Sequence, residues 1–154
     1  MADLTAHTIR SKGNWSGRPT DRVVLSFDDR FRRRILLKGE KGTTVLLSLK
    51  EAMHLRAGDA LEAEDGSLIE VVAASEKLIE VRCESPMHLL RIAWHLGNRH
   101  LPTQIDGSCL RIRYDKIILE MVKGLGADAN IIEASFDPEG GAYGGHARVH
   151  SHDH

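Results

Sequence analysis

From Asp21 the first half of the chain is a series of short apolar runs between polar turn residues, and the second half changes to helical spacing. Val23 to Phe27, Ile35 to Leu37, Thr43 to Leu47, Ala60 to Glu64 and Leu68 to Val72 are short β-rich runs bounded by turn residues. Gly39 to Gly42 turn the chain between the second and third of these runs, and Asp65-Gly66 is a hairpin signal between the last two. Ser48 to His54 leaves room for one helical turn. Residues 1–20, with Gly13, Gly17 and Pro19, hold no sustained period and predict an irregular or short-strand lead-in. Strands recurring every ~8–12 residues between turns describe a small all-β sandwich or barrel.

From Lys77 the rhythm differs. Lys77 to Cys83 alternates as a strand, and Ser85-Pro86 supplies an N-cap followed by proline at the first helical position. Met87, Leu90, Ala93 and Trp94 recur at helical spacing, widened by Leu89, Ile92 and Leu96, and Gly97 is the expected C-cap because glycine tolerates the left-handed conformation. Thr103 to Ile105 and Leu110 to Tyr114 flank the Asp106-Gly107 turn as strands. Asp115 then caps a second helix with an apolar face of Ile118, Met121, Val122 and Leu125, closed by Gly124 or Gly126, and Asn130 to Ala134 is the last strand. Strand, helix, strand, strand, helix, strand is the split βαβ order, with two helices on one face of a four-stranded antiparallel sheet. The expected class is therefore α+β. Residues 1–74 form an all-β domain, residues 75–143 a ferredoxin-like βαββαβ domain, and residues 144–154 a flexible, disordered, histidine-rich tail beyond a glycine-rich stretch.

Composition narrows the function classes. The chain has 154 residues, a formal net charge of -1 and 42% hydrophobic residues, enough for modest cores and without the charge excess of a nucleic-acid or membrane-surface binder. No apolar run approaches the ~20 residues that span a bilayer. Met1 to Thr20 carries no secretory signal, so a cytoplasmic protein is expected. Cys83 and Cys109 lack the paired spacing of a thiolate metal site and read as small buried hydrophobes. Arg30-Phe31-Arg32-Arg33-Arg34 is a conspicuous basic run, read as alternate arginines facing solvent on a strand beside carboxylates rather than as an RNA contact.

Histidine is the residue that carries chemistry. His95-Leu96-Gly97-Asn98-Arg99-His100 closes the first predicted helix, and the chain ends in His146, His150, His152 and His154. Imidazole suits nickel, copper, zinc and iron. In an extended tail His150, His152 and His154 share one side, so two of them can reach one ion. His95 and His100 lie too far apart around a helix end to chelate together. A single exposed His100 holds metal weakly, whereas a twofold dimer brings two copies face to face, with tail histidines as tethered extra ligands. Metal capture needs neutral imidazole, so affinity is expected to fall steeply below about pH 6. No nucleophile motif, phosphate loop or zinc-hydrolase spacing points to an enzyme. An RNA-binding module of the same element order needs stacking aromatics that the central strands lack.

Asp28 to Arg34 (DDRFRRR), Leu55 to Gly66 (LRAGDALEAEDG), HLGNRH at 95 to 100 and Phe136 to Gly144 (FDPEGGAYG) ahead of a histidine tail together resemble the urease accessory protein UreE family. The resemblance implies a cytosolic nickel metallochaperone with a peptide- or partner-binding N-terminal β domain and a ferredoxin-like metal-binding domain through which it dimerises. Its implied cargo is Ni2+, for which Zn2+ or Cu2+ can substitute, and its implied partners are the urease accessory GTPase and apo-urease. Carried over by position, His100 matches the histidine that meets its twofold mate on nickel, and His146 the first tail ligand; His150, His152 and His154 match as tail histidines. Tyr114-Asp115-Lys116 stands where some members carry further metal-binding histidines, so those peripheral sites are expected to be missing. Passive nickel or zinc storage by the tail is the alternative reading.

Overall fold

A computed structural model describes residues 2–140, which divide into two compact units, one ending at Ala74 and the other spanning Ser75–Glu139. The tail histidines His146, His150, His152 and His154 lie outside the described residues.

The first unit contains β1 (Leu4–Arg10), β2 (Asp21–Leu25), a single 3-10 turn (Asp28–Arg30), β3 (Phe31–Lys38), β4 (Thr44–His54), β5 (Ala60–Ala63) and β6 (Leu68–Ala73). These make one six-stranded sheet in the order β2-β6-β5-β1-β4-β3. The two-residue period does what it predicts. Val23 and Leu25 on β2, Ile69 and Val71 on β6, and Val45 and Leu47 on β4 are buried, and their neighbours are not. Gly66, at a φ of 89°, turns β5 into β6.

One expectation is made specific and one needs correcting. The lead-in contains β1, a full strand lying between β5 and β4 and running parallel to β4. Its apolar signal is weak because the residue it buries completely is the small Ala6. Ser48 to His54 is not a helical turn but the continuation of β4, with Leu49 extending the buried series of Val45 and Leu47. The pairing with β3 slips there, from Arg34 opposite Ser48 to Arg32 opposite Met53, so the irregularity is a bulge.

Asp21 fastens this sheet at one end. Its carboxylate, 3% exposed, accepts from the backbone amides of Arg22 at 2.7 Å, Lys41 at 3.0 Å and Thr43 at 3.2 Å. A Cβ at Gly39 would strike that carboxylate, so the β3–β4 turn closes over it. Burial pushes the carboxyl pKa up, but the bonds from Lys41, Arg22 and Thr43 outweigh it and bring it from 3.8 to about 2. Because the folded value lies below the unfolded one, the stabilisation is present above the unfolded pKa and is lost as the pH falls through the folded one. Asp21→Asn is expected to lower the unfolding free energy at neutral pH by about 2 kcal/mol, read as a lower urea midpoint with an unchanged slope. The gap between the two proteins should narrow as the pH is taken down toward 2, where the native carboxylate also protonates.

The second unit runs β7 (Ser75–Arg82), α1 (Pro86–Asn98), β8 (Gln104–Asp106), β9 (Cys109–Arg113), α2 (Lys116–Gly124) and β10 (Asp128–Ser135). Its sheet has the order β10-β7-β9-β8 with every neighbouring pair antiparallel, the ferredoxin-like arrangement expected from the element order. Ile79 and Val81 of β7 and Leu110 and Ile112 of β9 pack against Ile92 and Leu96 of α1 and Ile118 and Val122 of α2. Alternation puts Glu80 and Arg111 on the other side of the sheet. There they pair at 3.0 Å, and Arg111 reaches Asp106 at 3.4 Å, giving an ion-paired surface where a base-stacking platform would need rings.

The stripe on α1 is turned relative to the expected one. Leu89, Ile92, Ala93 and Leu96 face the sheet, whereas Met87, Leu90 and Trp94 are 56%, 64% and 64% exposed. The apolar stripe of α1 is broad, bounded by a line of His88, Arg91, His95 and Asn98, so periodicity alone did not select its inner face. Among the described residues no helix is long and apolar enough to cross a membrane.

Candidate metal centre

The two helices of the second unit end in the same way, and the comparison isolates His100. At the end of α2, Gly126 N–H donates to the Lys123 carbonyl at 2.9 Å and Ala127 N–H to the Val122 carbonyl at 3.1 Å. At the end of α1, His100 N–H donates to the Gly97 carbonyl at 2.9 Å and Leu101 N–H to the Leu96 carbonyl at 3.2 Å. Both are Schellman motifs, in which the last carbonyls of a helix are satisfied by a chain reversal through one left-handed residue. That residue is Gly126, at a φ of 91°, on α2, and His100, at a φ of 60°, on α1. Among the described residues His100 is the one non-glycine residue with positive φ.

Gly97 is therefore not the cap; it lies inside α1, which continues to Asn98. The apolar residues dictate the register. A Schellman turn joins two side chains in a hydrophobic contact, and here these are buried Leu96 and the partly buried Leu101. Moving the turn back to Gly97 would put Ala93 and polar Asn98 in those roles. The cost of holding histidine in the left-handed region is about 1 kcal/mol. Backbone preference would favour glycine at this position, as on α2, so the imidazole at residue 100 is not there for the turn. It is exposed, just past a rigid helix, with Pro102 two residues on.

The other described histidines are otherwise engaged. His7 bonds the Ser48 carbonyl at 2.9 Å and the Glu64 carboxylate at 2.8 Å, and the first of these, with the second, raises its pKa above 6.5. His88 lies 2.8 Å from the Leu125 carbonyl and so joins α1 to the end of α2. His54 packs in tilted contact with Phe27 and Phe31, with ring centroids 4.7 and 5.9 Å away. His95, half-buried, meets the edge of Trp94 at 5.2 Å. Cys109 is buried and Cys83 half-buried; burial pushes both thiols above their usual pKa, away from ligand character. Among the described residues no three of His, Cys, Asp and Glu are gathered closely enough to hold an ion. One copy of residues 2–140 thus leaves the exposed His100 imidazole outside any such group.

The basic run also departs from expectation. Arg30 precedes the strand and is fully buried, donating through Nε to the Leu55 carbonyl at 3.2 Å and through Nη1 to the Leu25 carbonyl at 2.9 Å. Arg32 pairs with Asp29 at 2.8 Å. Arg33 and Arg34 instead reach the neutral oxygens of Leu49 and Ser48. A charge in the sequence does not disclose that a guanidinium will be used to fill carbonyl acceptors in a core.

Comparison with known proteins covers nearly the whole chain. The N-terminal domain model of the UreE urease accessory protein matches residues 4–74, and the C-terminal domain model matches residues 76–154. A urease accessory protein UreE of Rhodopseudomonas palustris is 57% identical over 151 residues, spanning 98% of this chain and 71% of that protein. One from a Bradyrhizobium species is 54% identical over 97% of this chain and 73% of its own length. One from Ruegeria pomeroyi is 46% identical, with 99% of each chain covered.

Proposed function

The chain belongs to the UreE urease accessory protein family, an accessory-factor family and not an enzyme family, and from that premise we propose that it captures Ni2+ and passes it on for assembly of the urease active site. The ion is held between the His100 side chains of two chains related by a twofold axis. Histidines 146, 150, 152 and 154 add tethered ligands, and Zn2+ or Cu2+ can occupy the same nitrogen site. The receiving partners are the urease accessory GTPase and apo-urease in the cytoplasm. The second unit, with residues up to 143, carries the metal and the dimer contact, and the first unit, residues 1–74, docks a partner.

The observation that carries this reading is the left-handed His100, an exposed imidazole placed where the helix end would be more stable with glycine. The dimer is supported by the exposed Met87, Leu90 and Trp94, which form one face of α1 and lead along the helix toward His100. Two rigid imidazoles hold an ion incompletely, and additional tethered ligands that bind and detach quickly let it be both retained and released. Storage by the tail alone gives the presentation of His100 no purpose.

Truncation after Gly145 separates the two readings by titration calorimetry. The shortened chain is expected to keep a site of about one ion per dimer, weakened about tenfold, and to lose the additional ions. Loss of all nickel binding on truncation would favour storage and overturn delivery through His100.

A further inference from the structure

The outer edge of β3 is unpaired, since the six-stranded sheet ends there among the described residues. Such an edge displays backbone N–H and C=O groups ready to accept another extended chain. We propose that β3 is a docking edge for an extended acidic segment of a partner protein, which adds to the sheet as a further strand. This deepens the partner-docking role given above to the first unit, and rests on it.

The side chains on the strand's solvent face define the occupant. Arg34, Leu36 and Lys38 alternate outward, and all three are exposed, Leu36 by 56%. On their inner side β4 sets Ser48, Leu46 and Thr44 opposite them. Leucine therefore meets leucine, while the two cations face neutral residues. Arg34 bonds only the Ser48 hydroxyl, at 3.0 Å, and neither Arg34 nor Lys38 has a carboxylate partner among the described residues. A strand added outside β3 satisfies this row if its side chains at alternate positions are acidic, apolar and acidic. Opposite charges directly across a ladder stabilise it and like charges oppose it, so the same row disfavours the β3 edge of a second copy of this chain. Backbone pairing supplies affinity in this mode, and the alternate side chains supply selection.

The test uses the full chain and labelled synthetic peptides followed by fluorescence anisotropy. An extended peptide alternating Glu, Leu and Glu with threonines is expected to bind at least about tenfold more tightly than its Lys, Leu, Lys counterpart. Binding should weaken as salt is added. Arg34→Glu combined with Lys38→Glu should reverse the preference. N-methylating the amides on one edge of the acidic peptide should abolish binding without any change to the protein. Equal binding of the two peptides, no binding of the acidic one, indifference to N-methylation, or tighter binding of polyuridine than of the peptide would each overturn the proposal. Nickel titration of the same double variant is expected to match that of the unaltered chain, so a failure at this edge is distinguishable from a failure of the metal reading.

Discussion

Replacing His100 by alanine is expected to abolish the tightest nickel site while the protein stays folded and dimeric. Calorimetry should show loss of the ion bound at about one per dimer, an effect of a hundredfold or more in affinity, given that the central pair of ligands is gone from both chains at once. Replacing the same residue by glycine makes the prediction sharper. Glycine adopts the conformation that His100 holds at a φ of 60° without strain, as Gly126 does at the end of α2. His100→Gly should therefore be more stable than the unaltered chain by about 1 kcal/mol, seen as a higher urea midpoint, and equally unable to hold the tight ion. A residue kept for folding does not behave in this way. If His100→Gly lost stability along with nickel, the imidazole would be a structural element of the helix end and the site would have to be sought elsewhere.

The second large effect concerns the face of α1. Met87, Leu90 and Trp94 present apolar surface that α1 does not use against its own sheet. Burying a large apolar side chain fully contributes about 1.5–3 kcal/mol, and a tryptophan at the centre of an interface often dominates its energy. Leu90→Glu with Trp94→Glu is expected to raise the dimer dissociation constant at least about a hundredfold, measured by sedimentation or by mass photometry across a dilution series. Both positions are more than half exposed in one chain, so its fold and thermal transition should persist. Nickel affinity should fall with the dimer and recover at protein concentrations that force association. A variant that remained dimeric would place the interface on another surface.

Much of this architecture can be read from the residues, and the places where it cannot are instructive. Period-two runs locate most strands of the first unit because one face of each is buried, and capping residues locate both helix starts: Ser85 accepts from His88 N–H and Asp115 from Ile117 and Ile118 N–H. The bounds of β1 within the lead-in were not legible because the residue it buries completely is the small Ala6. The Ser48 to His54 segment escapes because a bulge breaks the pairing on which the strand pattern depends. Which side of α1 faces the core was not legible either, since a helix with apolar residues on both sides shows one broad stripe whether the outer part meets solvent or a partner. His100 was legible as a candidate from its place after the helix, but its backbone conformation was not. That conformation accompanies the packing of Leu96 and Leu101, and only the comparison with Gly126 shows that glycine would serve the turn better. The buried role of Arg30 had no sequence signal at all, because a basic run looks alike whether its first member faces water or the Leu25 and Leu55 carbonyls.

The central claim is that two copies of His100 share one ion, and native mass spectrometry of the full chain titrated with nickel tests it most directly. A dimer in the absence of metal, binding its first ion at about one per two chains and losing that step in His100→Ala, is the predicted result. A monomer that takes up one ion per chain, with the same affinity after the substitution, would contradict it.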